Sequence, residues 1–580
     1  MNKLKNLSWY EIAGLATLTI GLYYLIRRSF AIGGHFVEDT FITFRYAQHL
    51  TNGDGLTWNI GEPPAEGFTS LLHIILLSLG KLLGIPLSTN AVLLSILGLV
   101  VVVICFIWFH KRFLGQLPAP ALVLLGIFLL DGRTAIHITA GMETVVFMAL
   151  VALSQLATCL LIVSPSKKTA ISWAVIGLLS LWARPDAFFF LIAECGILFV
   201  VALLQYRRGD TIQLINTVLA YAVLLAIGLV YFAWKYQYYG YILPNTFYIK
   251  SGDLGLAGLH DIVEFFRLFF KYTGIPILLF LYATDFEKLK IWLSKLENRL
   301  ILAIALLPSL VFLAYFATTI HEVCYANRFE YPAYFGLLLF VSMILSAGFS
   351  AEILEHRVSF IPAKIAKGLF CAMIIVVFAI ETRTTAMFFP WSKIMNEQHY
   401  MPMGFALRET GLKNDATLIF DSAGVVSFFS EFRHIDPVGL TDNYLSGREK
   451  LTAMQREEYL WSQQADVYIG PTPPATDNSS SYQNDPRLDS QYAKTILLGP
   501  ITSGPYKRSY GNLSKQERSE ALHYRMRELR DNWKLIREMP YPVGDNGFTH
   551  YIYVRKDSKH HEKLVRHIAD IELSIAPKLP

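Results

Sequence analysis

Apolar runs recur along the chain at lengths near the ~20 residues that cross a bilayer. They lie at roughly 9–26, 69–84, 90–110, 118–131, 143–163, 170–183, 187–204, 214–234, 274–282, 300–318, 330–349 and 365–381. The pattern predicts a polytopic α-helical membrane protein with about 11–13 transmembrane helices. Lys3 and Lys5 precede the first run as in a signal peptide, but Arg27 and Arg28 stand where a small-residue cleavage site belongs, so it reads as an uncleaved membrane helix. Residues 251–272 carry a charged face and an aromatic one, which reads as a helix lying in the membrane interface, a setting that suits a lipid-linked substrate. From about residue 382 the runs shorten and alternate, as in TLIFDS, DVYIG and THYIYVR, with a helical stretch over 515–533. The expected division is a membrane domain over 1–381, with a first external loop over about 28–68, and a soluble C-terminal α/β domain over 382–580.

Basic pairs or clusters at Lys111/Arg112, Lys167/Lys168, Arg207/Arg208, 288–299 and 356–367 fall in alternate loops, which assigns those loops to the cytoplasm. Residues 141–143, 184–186, 238–250 and 321–328, and everything after 382, are then external. The first polar loop joins them only if an even number of crossings separates it from Glu143, whereas three runs lie between. One of those helices is therefore re-entrant, broken or missed.

That first loop, 38–69, interrupts the first two apolar runs with charge and turn residues. Helical spacing sets Asp39, Thr43 and Tyr46 on one face, with Glu38, Ile42, Arg45 and His49 beside it. Glu38 and Asp39 fit a general base with a second acid or a metal ligand, and Asp39 equally fits an N-cap reaching the Ile42 amide. Arg45 and His49 fit either phosphate binding or a solvated, headgroup-facing side. Glu66 and Glu143 are sugar ligands or charges at helix N-termini. Arg184 and Asp186 are ionisable groups at membrane depth, functional or paired with each other. The 238–250 segment, with Asn245 and Lys250 among aromatics, suits sugar stacking and phosphate, or a membrane belt.

Composition narrows the classes. With 53% hydrophobic and 17% charged residues the chain is too apolar for an ordinary soluble enzyme. A net charge of +5, spread over short loops, does not describe a nucleic-acid footprint. Four of the five cysteines lie in apolar runs, so neither a disulfide framework nor a zinc or iron–sulfur site is indicated. His321-Glu322 is followed by Tyr325 where a zinc protease has histidine, and no Walker or GxGxxG loop supports nucleotide chemistry.

Several motifs occur in order: ED-x-FI-x-FRYA-x-x-L-x-x-G-x-GL-x-WN-x-GE and EG-x-TS in the first loop, AGMET at 140–144, ARPD at 183–186, YYG-x-x-LPNTFY-x-K at 238–250, Arg328 entering a helix, DSAGVVSFFS at 421–430 and IDPVGLTD at 435–442. Together they resemble multi-pass glycosyltransferases of the GT-C superfamily, nearest the arabinofuranosyltransferase-like proteins that include the mycobacterial terminal β-arabinofuranosyltransferases. Two departures stand out: EPPAEGFT replaces the family's E-x-VEGYT, and no Gly-Gly-Asp precedes Arg328.

The resemblance implies transfer of a sugar, a pentofuranose such as arabinofuranose, from a polyprenyl-phosphate donor to a cell-envelope glycan or glycolipid at the outer face of the cytoplasmic membrane. It makes Asp39 the base, with Glu38 beside it, in an inverting reaction. Arg45, Lys250, Arg328 and Arg184 become candidates for the donor phosphate. Tyr46, Glu66, Glu143, Asn245, Asp421, Asp436 and Asp442 become candidates for sugar or acceptor. A divalent cation, Mg or Mn, held by Glu38, Asp39 or Glu143, is the one cofactor left open; nucleotide and nucleic acid are not expected, and membrane lipid is. The alternatives are a transporter or flippase of a lipid-linked sugar, and a non-catalytic envelope assembly protein.

Overall fold

The computed structural model describes residues 8–33, 36–250, 256, 258–319, 325–357, 393–446, 451–474, 515–542 and 549–571. Among them eight helices are long and apolar enough to cross a membrane: Trp9–Ile32, Leu87–Leu114, Thr144–Val163, Ala187–Tyr206, Ile212–Tyr239, Leu259–Tyr282, Leu296–Ala317 and Tyr331–Gly348. A ninth is broken. Ala119–Leu130 and Gly132–Thr139 meet at 53°, because Asp131 leaves helical geometry (φ −56, ψ 121) and its carboxylate accepts from the Arg133 amide to start the second segment. Lys167–Ala183 has 17 residues and Leu71–Leu82 only 12, and the apolar run 365–381 lies outside the described residues.

Two expectations change. Leu71–Leu82 is too short to span, which leaves Leu87–Leu114 and the bent pair between the first loop and Glu143; counted as one span, that pair makes the number even. The helix expected to lie in the interface over 251–272 and the separate run at 274–282 are one helix, Leu259–Tyr282, continuous through Pro276 and long enough to cross. Its apolar second half extends the amphipathic first half to spanning length.

The chain forms two compact units, and neither follows the linear boundary at 381/382. The first contains 1–35, 91–231 and 254–389. Its helices approach closely at small residues: a Cβ on Gly21 would lie 2.2 Å from the Gly126 carbonyl oxygen, and one on Gly336 would lie 2.2 Å from Ser309 Oγ. Inside this bundle Glu194 receives Ser154 Oγ at 2.8 Å, Thr158 Oγ1 at 2.9 Å and Trp173 Nε1 at 3.1 Å, a polar join of three helices.

The second unit contains 36–90, 232–253 and 390–580. Its described residues form five strands, β1 (Thr417–Phe420), β2 (Arg433–Ile435), β3 (Val467–Gly470), β4 (Trp533–Pro540) and β5 (Thr549–Arg555), in the order β2-β1-β3-β5-β4. β1 is parallel to β2 and β3, while β5 is antiparallel to β3 and β4. Alternation sends Leu418, Phe420, Val467 and Ile552 to one face, against Leu407, Leu564 and Ile568. Ile419, Tyr468 and Tyr553 go to the other, against Leu460, Trp461 and Leu529.

Candidate active site

Glu38 and Asp39 open the helix Glu38–Asn52, whose N-cap is Val37 with no side-chain capping bond. Asp39 is therefore not the cap; both carboxylates stand in the first turn, where the helix dipole favours negative charge. Glu38 Oε1 accepts from the Gly424 amide and, at 3.2 Å, from the Val425 amide that starts the helix Val425–Ser430. A Cβ on Gly424 would lie 2.0 Å from the Glu38 carbonyl oxygen, so this approach requires glycine. Burial, with the charge of Asp39 next to it, pushes the Glu38 carboxyl up to about 8. At neutral pH Glu38 is then mainly the neutral acid.

Arg45, one turn further on, is 3% exposed and its donors are used by the protein. Nε reaches the Trp58 carbonyl at 3.0 Å, Nη1 that of Ser427 at 2.7 Å, and Nη2 that of Phe432 at 2.8 Å, with the guanidinium 4.5 Å from the Trp58 ring. Burial lowers its pKa to about 10. This geometry removes Arg45 from the phosphate candidates and makes it the brace between the first loop and the segment 427–432. His49 is also buried, held at about 4 by burial and by Arg45, so it brings no positive charge.

The rest of the first loop continues that joint. Trp58 Nε1, which only donates, meets His434 Nδ1 at 3.2 Å, and His434 Nε2 then donates to the Phe420 carbonyl at 2.8 Å. Burial and Arg45 keep this imidazole neutral, near 3. The Asn59 amide pairs with both backbone groups of His434, at 2.9 and 3.0 Å, and Glu62 pairs with Arg433. The Tyr238 and Tyr239 hydroxyls bond the Leu56 amide and carbonyl, at 3.1 and 3.3 Å. The sequence marks this segment only as an external loop at the membrane edge; it is an interlocked part of the second unit.

Several sugar candidates have structural partners instead. Tyr46 is fully buried, donating to the Ala65 carbonyl at 2.5 Å and accepting from the Gly67 amide at 3.0 Å. Glu66 is paired with Lys235 at 2.9 Å, a partner that the sequence hid at the end of an apolar run. Asn245 is buried, its amide 3.3 Å from Asn443 Oδ1. Asp436 accepts from the Val438 and Thr441 amides, and Asp442 from the Tyr444 and Leu445 amides and the Tyr459 hydroxyl, so both organise the turn at 436–445. Burial pushes Asp436 up to about 7 and raises Asp442. Asp421 keeps partial exposure, and burial pushes it up to about 6. Lys250 ends the helix Asn245–Lys250, and its side chain lies outside the described residues.

In the first unit, Glu143 is buried at the head of Thr144–Val163. Arg184 forms the pair with Asp186, at 3.0 and 2.5 Å, and Nη1 reaches the Arg328 carbonyl at 3.4 Å. Arg328 is buried, 5.4 Å from the Phe329 ring. Sequence reasoning missed the neighbouring pair Asp131/Arg133, bonded at 2.6 Å, with Arg133 Nη1 3.1 Å from Asn327 Oδ1. Two charges interrupting an apolar run were the available signal. Among the described residues no three His, Cys, Asp or Glu side chains gather as a metal group, and Glu38 already spends one oxygen on two amides.

No family model and no curated protein matches the sequence. Solved structures do. ArnT from Cupriavidus metallidurans bound to undecaprenyl phosphate is 13% identical with a TM-score of 0.52, over 80% of this chain and 92% of that one. The oligosaccharyltransferase AglB from Archaeoglobus fulgidus, in complex with an inhibitory peptide and a dolichol-phosphate, is 11% identical with a TM-score of 0.52, over 92% of this chain and 80% of that one. The chain shares the fold of these two proteins. The Archaeoglobus fulgidus oligosaccharyltransferase in the apo form gives 12% identity and a TM-score of 0.50, over 92% of this chain and 80% of that one. The match extends through both the helical part and the sheet domain, since 92% of this chain is covered.

Proposed function

We propose that the chain is a membrane glycosyltransferase that moves a sugar from a polyprenyl-phosphate donor to a glycan or glycolipid acceptor of the cell envelope, at the outer face of the cytoplasmic membrane. The observation that carries the reading is the acid pair Glu38–Asp39 at the head of a braced helix, in a fold shared with proteins solved with undecaprenyl phosphate and dolichol-phosphate. Asp39 takes the acceptor hydroxyl proton as that oxygen attacks the anomeric carbon. The bond from that carbon to the phosphate oxygen breaks, its electron pair leaves with the lipid phosphate, and the configuration inverts. Lys250 is the cation assigned to the departing phosphate, and Asp421 the carboxylate assigned to sugar hydroxyls. Glu38, largely protonated at neutral pH, sets the helix and spares Asp39 a second charge beside it. The sheet domain presents the acceptor. The ordered motifs make a pentofuranose such as arabinofuranose the first donor to try.

The test uses purified protein in detergent, a polyprenyl-phosphate-linked arabinofuranose and an arabinan oligosaccharide, with products read by mass spectrometry. Extension of the acceptor by one pentose without a sealed membrane is the expected result. Failure with every polyprenyl-phosphate sugar offered, together with movement of such lipids across liposome bilayers, would overturn it in favour of transport.

A further inference from the structure

The second unit holds a cavity of about 210 Å³ on a face of the Glu38–Asn52 helix that the proposed chemistry does not use. Phe41 and Phe44 from that helix and Phe428 and Phe429 from Val425–Ser430 wall it, with Phe41 5.6 and 5.5 Å from the latter two rings. Two cations face it: Lys81, in the last turn of Leu71–Leu82, and Arg408, in Met401–Glu409. One carboxylate shares the rim, Glu431, and it is paired with Lys413 at 3.1 Å. Of the lining residues, Lys81 and Arg408 against Glu431 leave a formal charge of two minus one, +1, and the Glu431 carboxylate is matched from outside the cavity by Lys413. Burial holds Lys81 below its usual pKa, the state an arriving anion relieves.

What lies beside the cations identifies the anion. Leu79, Leu82 and Leu83 are 52%, 66% and 80% exposed, and the Leu87–Leu114 span starts at the cavity's edge. Bare leucines next to paired cations where a membrane span begins match the two halves of a lipid, acyl chain and phosphate. We propose that this cavity seats the phosphate of an anionic phospholipid of the phosphatidylglycerol type, with its acyl chains over Leu79, Leu82 and Leu83. A zwitterionic headgroup would bring its own ammonium toward Lys81 and Arg408 and is disfavoured. The occupied cavity steadies Phe428 and Phe429 on the short helix whose first amides hold Glu38, so bound lipid stiffens the acid pair's support.

Native mass spectrometry of the delipidated full-length protein in detergent tests this by titration with phosphatidylglycerol, phosphatidylcholine or inorganic phosphate. The wild type is expected to bind one phosphatidylglycerol about thirtyfold more tightly than phosphatidylcholine, two basic side chains contributing about fivefold each. Lys81→Gln with Arg408→Gln is expected to erase that preference, and Arg408→Gln alone, at an exposed position, to reduce it about fivefold with the fold intact. Equal binding of the two lipids, or an unchanged preference in the double variant, overturns the proposal. Inorganic phosphate binding as tightly as the lipid also overturns it, by showing a bare anion site.

Discussion

Arg45 and Arg133 are buried almost equally, at 3% and 6% exposure, yet they do different things. Arg45, in the unit that carries the acid pair, donates to three backbone carbonyls that include residues far along the chain. Arg133, in the helical unit, is neutralised by Asp131 two residues away, as Arg184 is by Asp186. The first spends its donors on carbonyls, whereas the others pair with a carboxylate two residues away and reach Asn327 or Arg328 with the remaining Nη1. A buried arginine is thus read by its acceptors: carbonyls at several points of the chain mark a brace, and one nearby carboxylate leaves guanidinium edge for a further partner.

The sharpest way to break this comparison is Arg45→Met. It strands the carbonyls of Trp58, Ser427 and Phe432, each at about 1–3 kcal/mol, so the midpoint of thermal unfolding in detergent is expected to fall by about 10 °C or more. A fall of about 2 °C or less would make Arg45 dispensable. Asp131→Asn comes next, costing about 3–5 kcal/mol by leaving Arg133 charged and unmatched. The double change Asp131→Leu with Arg133→Met is expected to recover most of that loss, which a brace such as Arg45 does not permit. If the double variant is as unstable as the single, the local-pair description is wrong.

Smaller changes sharpen the same contrast. Trp58→Phe keeps a ring under Arg45 but leaves His434 Nδ1 without its donor, for an expected loss of about 1–2 kcal/mol in denaturant melts. Glu38→Gln has an effect whose size depends on pH. A carboxyl raised from about 4.5 to about 8 on folding binds more protons folded than unfolded between those values, so its contribution is full below the lower value and is lost as pH rises toward 8. Wild type minus variant melting temperatures are therefore expected to decline from pH 5 to pH 8. A difference that grows over that range would show Glu38 ionised in the fold.

Much of the fold was legible in the sequence, because run length alone marks a span and alternation marks β1, β3 and β5. β2, with three residues, is too short to alternate, and β4 begins at Trp533, which sequence reasoning placed at the end of the preceding helix. The break at Asp131 needed attention to two charges inside an apolar run. The acid pair was visible as residue types at a membrane edge. Its support was not: Arg45 is 382 and 387 residues from the carbonyls of Ser427 and Phe432, and no local spacing encodes such partners. Tyr46, Asp436 and Asp442 looked like sugar ligands for the same reason, since a polar side chain closing a turn or a backbone gap has no signature distinct from one awaiting a hydroxyl.

Asp39→Asn removes the carboxylate proposed as the base of the glycosyl transfer. The most direct measurement is the single-turnover rate of this variant with lipid-linked sugar and acceptor, alongside the melting temperature of the same preparation. The rate is expected to fall by about 10²- to 10⁴-fold with unchanged melting. Transfer at the wild-type rate would contradict that role.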